Sequence, residues 1–166
     1  KAFLDDLKEE NEDLKQYNEK LKYDKLNLSL KKIEKDGKYG FIDRNENVVI
    51  NFIYDFAWSF SEGLASVKKD GKWGFIDKTG KIVIDFIYDS AASFSEGLAS
   101  VKKDGKWVFI DKTGKTVIDF IYGNAFSFSE GLASVKKDGK WGFIDKTGKT
   151  VIDFIYDATF PFSEGL

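Results

Sequence analysis

Lys72-Trp73-Gly74-Phe75-Ile76-Asp77 decides the reading, because the chain says it again. It returns as Lys106-Trp107-Val108-Phe109-Ile110-Asp111 and as Lys140-Trp141-Gly142-Phe143-Ile144-Asp145, and Lys38-Tyr39-Gly40-Phe41-Ile42-Asp43 is an earlier copy with Tyr in place of Trp. The spacing is 34 residues each time. A fixed period of this length is the mark of a repeat architecture and sets the fold before any local propensity is weighed. Working outward, the copies run over about 28–61, 62–95, 96–129 and 130–163, with a fifth cut off at Leu166.

Each copy reads as three strands. Leu64 to Lys69 alternates apolar and polar residues, Asp70-Gly71 is a two-residue turn suited to positive φ, and Trp73 to Asp77 is the returning strand. Asp77-Lys78-Thr79-Gly80 supplies a second turn, with Gly at the left-handed position. Ile82 to Tyr88, rich in β-branched and aromatic residues, is the third strand. Asp89 to Gly97 has no period of two and reads as a connecting loop with room for a short helical turn.

Side-chain direction follows from the tight turn. If Lys69 pairs with Lys72, then Ala65, Val67, Gly74 and Ile76 share one face, while Leu64, Ser66, Trp73 and Phe75 share the other. Both faces carry apolar groups, and a single copy cannot bury both. Copies must therefore stack, each covering its neighbour. The expected fold is mainly β: an open, solenoid-like array of four three-stranded repeats.

These residues resemble the WG-repeat family of bacterial proteins, named for the pair at Trp73-Gly74 and Trp141-Gly142. The resemblance covers roughly residues 28 to 166. The family commonly carries Pro after the Val-Ile strand, where this chain has Asn51, Asp85, Asp119 and Asp153, and Val108 replaces Gly in the third copy. What the resemblance implies is a structural or interaction role rather than a defined reaction.

Residues 1–27 differ. The first 25 hold six Lys against eight Asp and Glu, with no Gly or Pro, and predict one long helix ahead of the repeats. Leu7, Leu14 and Leu21 are seven apart; taken as d positions, they put Leu4, Asn11 and Asn18 at a. This is a leucine-zipper register, and paired Asn at a suits a parallel homodimer. The competing expectation is a helix folded back to cap the first repeat, but its apolar stripe is narrow for that. The chain starts at Lys1 and stops in mid-pattern, so it is expected to be a piece of a longer protein.

Composition bounds the chemistry. The chain has 166 residues, 26 Lys+Arg and 28 Asp+Glu, a net charge of -2, and no His, Cys or Met. Imidazole acid–base catalysis, thiolate chemistry, disulfides and Cys/His metal sites are thereby excluded. The repeats carry 20 charges of each sign, so no basic nucleic-acid footprint exists. No apolar run is long enough to span a bilayer, and no membrane insertion is expected. Carboxylates such as Glu62 and Asp77 recur in every copy, which fits turns and charge balance better than several identical active sites. Isolated turn glycines cradle no phosphate, and the turns lack calcium-loop ligand spacing. No enzyme activity, metal or cofactor is expected.

Binding candidates are aromatic. Tyr39, Trp73, Trp107 and Trp141 recur identically and read as the stacked core between repeats. The position that varies between copies is the better recognition candidate: Trp58, Ala92, Phe126 and Phe160, with Trp58, Phe126 and Phe160 as partner-binding residues. The expected function is a non-enzymatic repeat scaffold for a protein partner, dimerised through Leu4, Leu7, Asn11, Leu14, Asn18 and Leu21. The alternative is a glycan- or cell-wall-binding module using the loop aromatics.

Overall fold

The computed structural model describes residues 8, 11–18 and 29–159, apart from the side chains of Phe120 and Ile121. Four antiparallel sheets follow one another along the chain. The first contains β1 (Lys31–Lys35), β2 (Lys38–Ile42) and β3 (Val48–Tyr54); the second β4 (Phe56–Ala57), β5 (Leu64–Lys69), β6 (Lys72–Asp77) and β7 (Ile82–Tyr88). The third contains β8 (Ser90–Ala91), β9 (Ala99–Lys103), β10 (Lys106–Ile110) and β11 (Thr116–Tyr122); the fourth β12 (Asn124–Ala125), β13 (Leu132–Lys137), β14 (Lys140–Asp145) and β15 (Thr150–Tyr156). Within each sheet the strands are hydrogen-bonded in chain order. Among the described residues the array is mainly β and does not close into a barrel.

The hairpin turns form where the sequence predicts them, with Asp70 at φ 51° and Gly71 at φ 81°. Both angles are positive, as a two-residue hairpin turn matching strand twist requires. Lys69 faces Lys72 and Val67 faces Gly74, so the two faces of the hairpin are those expected. Their coverings are separate. Ala65, Val67 and Ile76 pack with Phe41, Ile50 and Tyr54 of the preceding sheet. Leu64 and Phe75 pack with Ala99, Val101, Val108 and Ile110 of the following one. A third core joins Phe109 and Ile118 to Ala133, Val135 and Ile144. Each interior sheet is thus buried on both faces by its neighbours.

The connecting segment holds more order than expected. β3 stops at Tyr54 and β4 starts at Phe56, so one extended run closes the first sheet and opens the second. Asp55 N donates to Lys68 O at 2.8 Å and Trp58 N to Ser66 O at 2.9 Å, which lengthens the pairing of β4 with β5 on both sides. A strand that switches sheets is how packed sheets make corners. A two-residue strand is too short to leave a periodic signature, so the sequence pattern shows three strands per copy where the later sheets hold a fourth. The room left for a helical turn is instead a tight turn at Glu62-Gly63, where Ser61 and Leu64 exchange backbone bonds of 2.9 and 3.0 Å.

β7 is bulged. Trp73 faces Tyr88, Phe75 faces Ile84 and Ile76 faces Ile82, so seven residues of β7 oppose four of β6. Extra residues bend a strand and increase its twist. The bend at Asp85, where the resembled family has Pro, is made here by bulging. The same geometry explains Gly74: a Cβ added there would lie 2.7 Å from Ile84 O. Val108 occupies the equivalent place in β10, fully buried, and β10 keeps the same partners in β11: Trp107 with Tyr122, Phe109 with Ile118 and Ile110 with Thr116. The strands there make room for a side chain without changing register.

The Ser-Glu-Gly turns tie copies together. Ser61 Oγ donates to Phe94 O, and Ser95 Oγ to Phe128 O, both at 2.7 Å. Gly97 N donates to the Glu62 carboxylate and Gly131 N to that of Glu96, each at 3.0 Å at the nearer oxygen. Lys112 reaches Glu62 at 3.1 Å and Lys146 reaches Glu96 at 2.9 Å.

Ahead of the sheets, residues 11–18 are helical and every one is exposed. The remainder of the helix expected over 1–27, with Leu4, Leu7 and Leu21, lies outside the described residues.

Candidate functional site

The recurring carboxylates are held in structural bonds. Asp77 Oδ1 accepts from Thr79 N at 2.8 Å, Thr79 Oγ1 at 2.6 Å and Lys81 N at 3.1 Å, which closes the second turn. In the equivalent turns, the Thr113 hydroxyl holds Asp111 below the usual carboxylate range and the Thr147 hydroxyl does so for Asp145. Asp89 receives the Lys72 ammonium and the Asp104 amide; the lysine depresses its pKa most. Gly123 stands where Asp55 and Asp89 occur in earlier copies.

The four recurrent aromatics differ in cover. Trp141 is buried, while Tyr39, Trp73 and Trp107 are half-buried against the inter-sheet cores. What lies over each ring depends on positions 34 residues apart at the start of each sheet. In the second sheet, Phe56 lies 5.7 Å from the Trp73 ring and 5.3 Å from that of Trp58. In the fourth, Phe126 stacks on Trp141 at 5.3 Å with an interplanar angle of 20°. In the third, the same two positions hold Ser90 and Ala92. Among the described residues no ring pairs with Trp107 as Phe56 does with Trp73 or Phe126 with Trp141.

The consequence is a groove of about 440 Å³ over Trp107. Trp58, Ala92, Ser100, Trp107 and Phe126 are among the residues that line it. Trp58 is 45% exposed; Phe126 is half-buried because it also stacks on Trp141. Two of the predicted partner-binding residues therefore meet in one groove, and Phe160 lies outside the described residues. Asn124 also lines the groove; its Oδ1 accepts from Ala125 N at 2.9 Å. No charged side chain lines it. Sequence reasoning missed Ser90 and Ala92 as its makers, although the signal was present: two small residues where sister copies carry rings.

A second surface runs along the sheet edges. The last long strand of each sheet is its edge, and it carries exposed apolar side chains: Ile53 at 46%, Ile87 at 43% and Ile155 at 64% recur on one rung. Val83, Val117 and Val151 recur on another. Ile82 to Tyr88, read as a strand rich in β-branched and aromatic residues, leaves Val83 and Ile87 exposed.

Of the predicted zipper residues, Asn11, Leu14 and Asn18 are described, and all three are exposed, Leu14 at 54%. Lys15 pairs with Glu12 of its own helix at 2.8 Å. Among the described residues no helix is long and apolar enough to cross a membrane.

Comparison with known proteins bears on the repeat alone. A family profile described as "WG containing repeat" matches residues 39–73, 73–107, 109–141 and 141–166. No curated protein matches the chain.

Proposed function

Since the chain belongs to the WG containing repeat family, we propose that it is a non-enzymatic binding array that presents a repeated β surface to a protein partner. The observation that carries this reading is the apolar edge position of Ile53, Ile87 and Ile155, exposed in the first, second and fourth copies. Large apolar groups left in water at regular intervals are a standing incentive for association. The bulges in these edge strands disfavour open-ended strand pairing, so docking proceeds through side chains rather than by sheet extension. The absence of His and Cys, and carboxylates engaged in turns, agree with a role without catalysis.

The helix adds a second copy. Leu14 is exposed, as suits a residue that meets its counterpart in a parallel dimer. Two arrays held together bind a repetitive partner more tightly than either alone.

Two measurements test the proposal. Replacing Ile53, Ile87 and Ile155 together by Ser should abolish partner capture by the immobilised chain while Tm is unchanged; undiminished capture overturns the edge surface. Sedimentation should show a dimer that becomes monomeric in Leu14→Asp. A monomer in both chains overturns the zipper.

A further inference from the structure

We propose that the groove over Trp107 receives an aromatic side chain of the protein partner, seated where Phe126 sits over Trp141. The inference rests on the reading that the partner is a protein, and it names the group that the groove would grip.

The molecule supplies its own template. Sheets two and four each set a ring against the recurrent indole, from two different positions of the copy: Phe56, between Tyr39 and Trp73 at 5.1 and 5.7 Å, and Phe126, stacked on Trp141 at 5.3 Å. Sheet three keeps the same backbone, with Ala92 N donating to Ser100 O at 2.9 Å as Phe126 N donates to Ser134 O at 2.9 Å. At this position it carries Ala92 in place of a ring. The volume left, about 440 Å³, falls within the range of ordinary ligand pockets. A ring entering it would stack on an indole already held against the inter-sheet core, with little further ordering to oppose binding.

Two observations favour a ring over a sugar. Ser100 lines the groove and its Oγ is buried without a hydrogen-bond partner, which at first suggests a polar ligand. Ser66 and Ser134 are equally buried and equally unpartnered in the sheets whose rings are present, so this hydroxyl is a fixture beneath an aromatic cover and not a request for a ligand hydroxyl. The lining is also without charge; its polar side chains are the serines Ser90, Ser93, Ser100 and Ser127 and Asn124, whose oxygen already accepts from Ala125 N. A neutral apolar ring is the complementary group.

The test uses the intact chain with N-acetyl-phenylalaninamide and, separately, chitotriose, following the Trp107 indole N–H by NMR. The aromatic amide should shift that resonance and chitotriose should leave it in place. Ala92→Phe, which restores the residue of the fourth sheet, should raise Tm by about 2–4 °C and weaken the amide's effect at least tenfold. A shift with chitotriose alone, no shift with the amide, or a lowered Tm in Ala92→Phe overturns the inference. Partner capture that survives Ala92→Phe but is lost in the Ile53, Ile87 and Ile155 variant also overturns it, and leaves the protein-binding reading intact.

Discussion

At the scale of single residues, two glycines in one hairpin are required for different reasons. Gly71 sits at φ 81° with nothing within 4 Å of an added Cβ, so only backbone conformation opposes a side chain. Gly74 has ordinary φ, but an added Cβ would lie 2.7 Å from the Ile84 oxygen. Gly71→Ala should therefore cost about 1–2 kcal/mol through left-handed strain, and Gly74→Ala about 1–3 kcal/mol through overpacking against backbone. Urea denaturation distinguishes them when each is combined with a change in the facing strand: Asp85→Gly, which loosens the bulge, should rescue only Gly74→Ala. Rescue of both, or of neither, removes the close-approach explanation. The Asp-Gly turn could be read directly from its dipeptide, because its cause is local. The need at Gly74 could not, because its cause is a bulge in a strand ten residues away. Val108 shows the same point: its burial in the third sheet follows from how that sheet meets its partner strand.

At the scale of elements, the turns and edge strands are secured by exposed or partly exposed charge. Lys72 holds the Asp89 carboxyl below its usual range, and Lys146 does the same for Glu96, with the Gly131 amide adding to the effect. A carboxylate whose folded pKa is depressed contributes stability that is fully present above its unfolded pKa of about 4 and is lost as pH falls through the folded value. Tm should accordingly be level between pH 6 and 8, where a chain without His has no side chain with an ordinary pKa in the window, and should fall progressively below about pH 4. Glu96→Gln should reduce the size of that fall; an unchanged acid limb would show that the inter-copy turn contributes nothing. Salt should weaken the same effect, since these pairs face solvent. The carboxylates were legible as turn residues from their repetition. That Glu62 and Glu96 bind the next copy rather than their own turn was not legible, because the contact spans 35 residues.

At the scale of the whole molecule, stability resides between sheets. Phe109 is completely buried and lies 4.8 Å from Phe128, inside the core shared by the third and fourth sheets. Phe109→Ala should lower unfolding free energy by about 3–5 kcal/mol in a denaturant titration. A peptide of residues 62–95 alone, with both faces stripped of neighbours, should show no cooperative thermal transition by circular dichroism. A sharp transition would mean that each copy is self-sufficient and that stacking is incidental. The amino-acid sequence by itself determined the period, the hairpins and the two apolar faces of every copy, because turn dipeptides and alternation act over a few residues. Only the tertiary structure decided which neighbour covers which face, where one strand passes from sheet to sheet, and that Ser90 and Ala92 open a groove between Trp58 and Phe126. Those outcomes depend on groups brought together from different copies, and no local pattern records the space that a missing ring leaves behind.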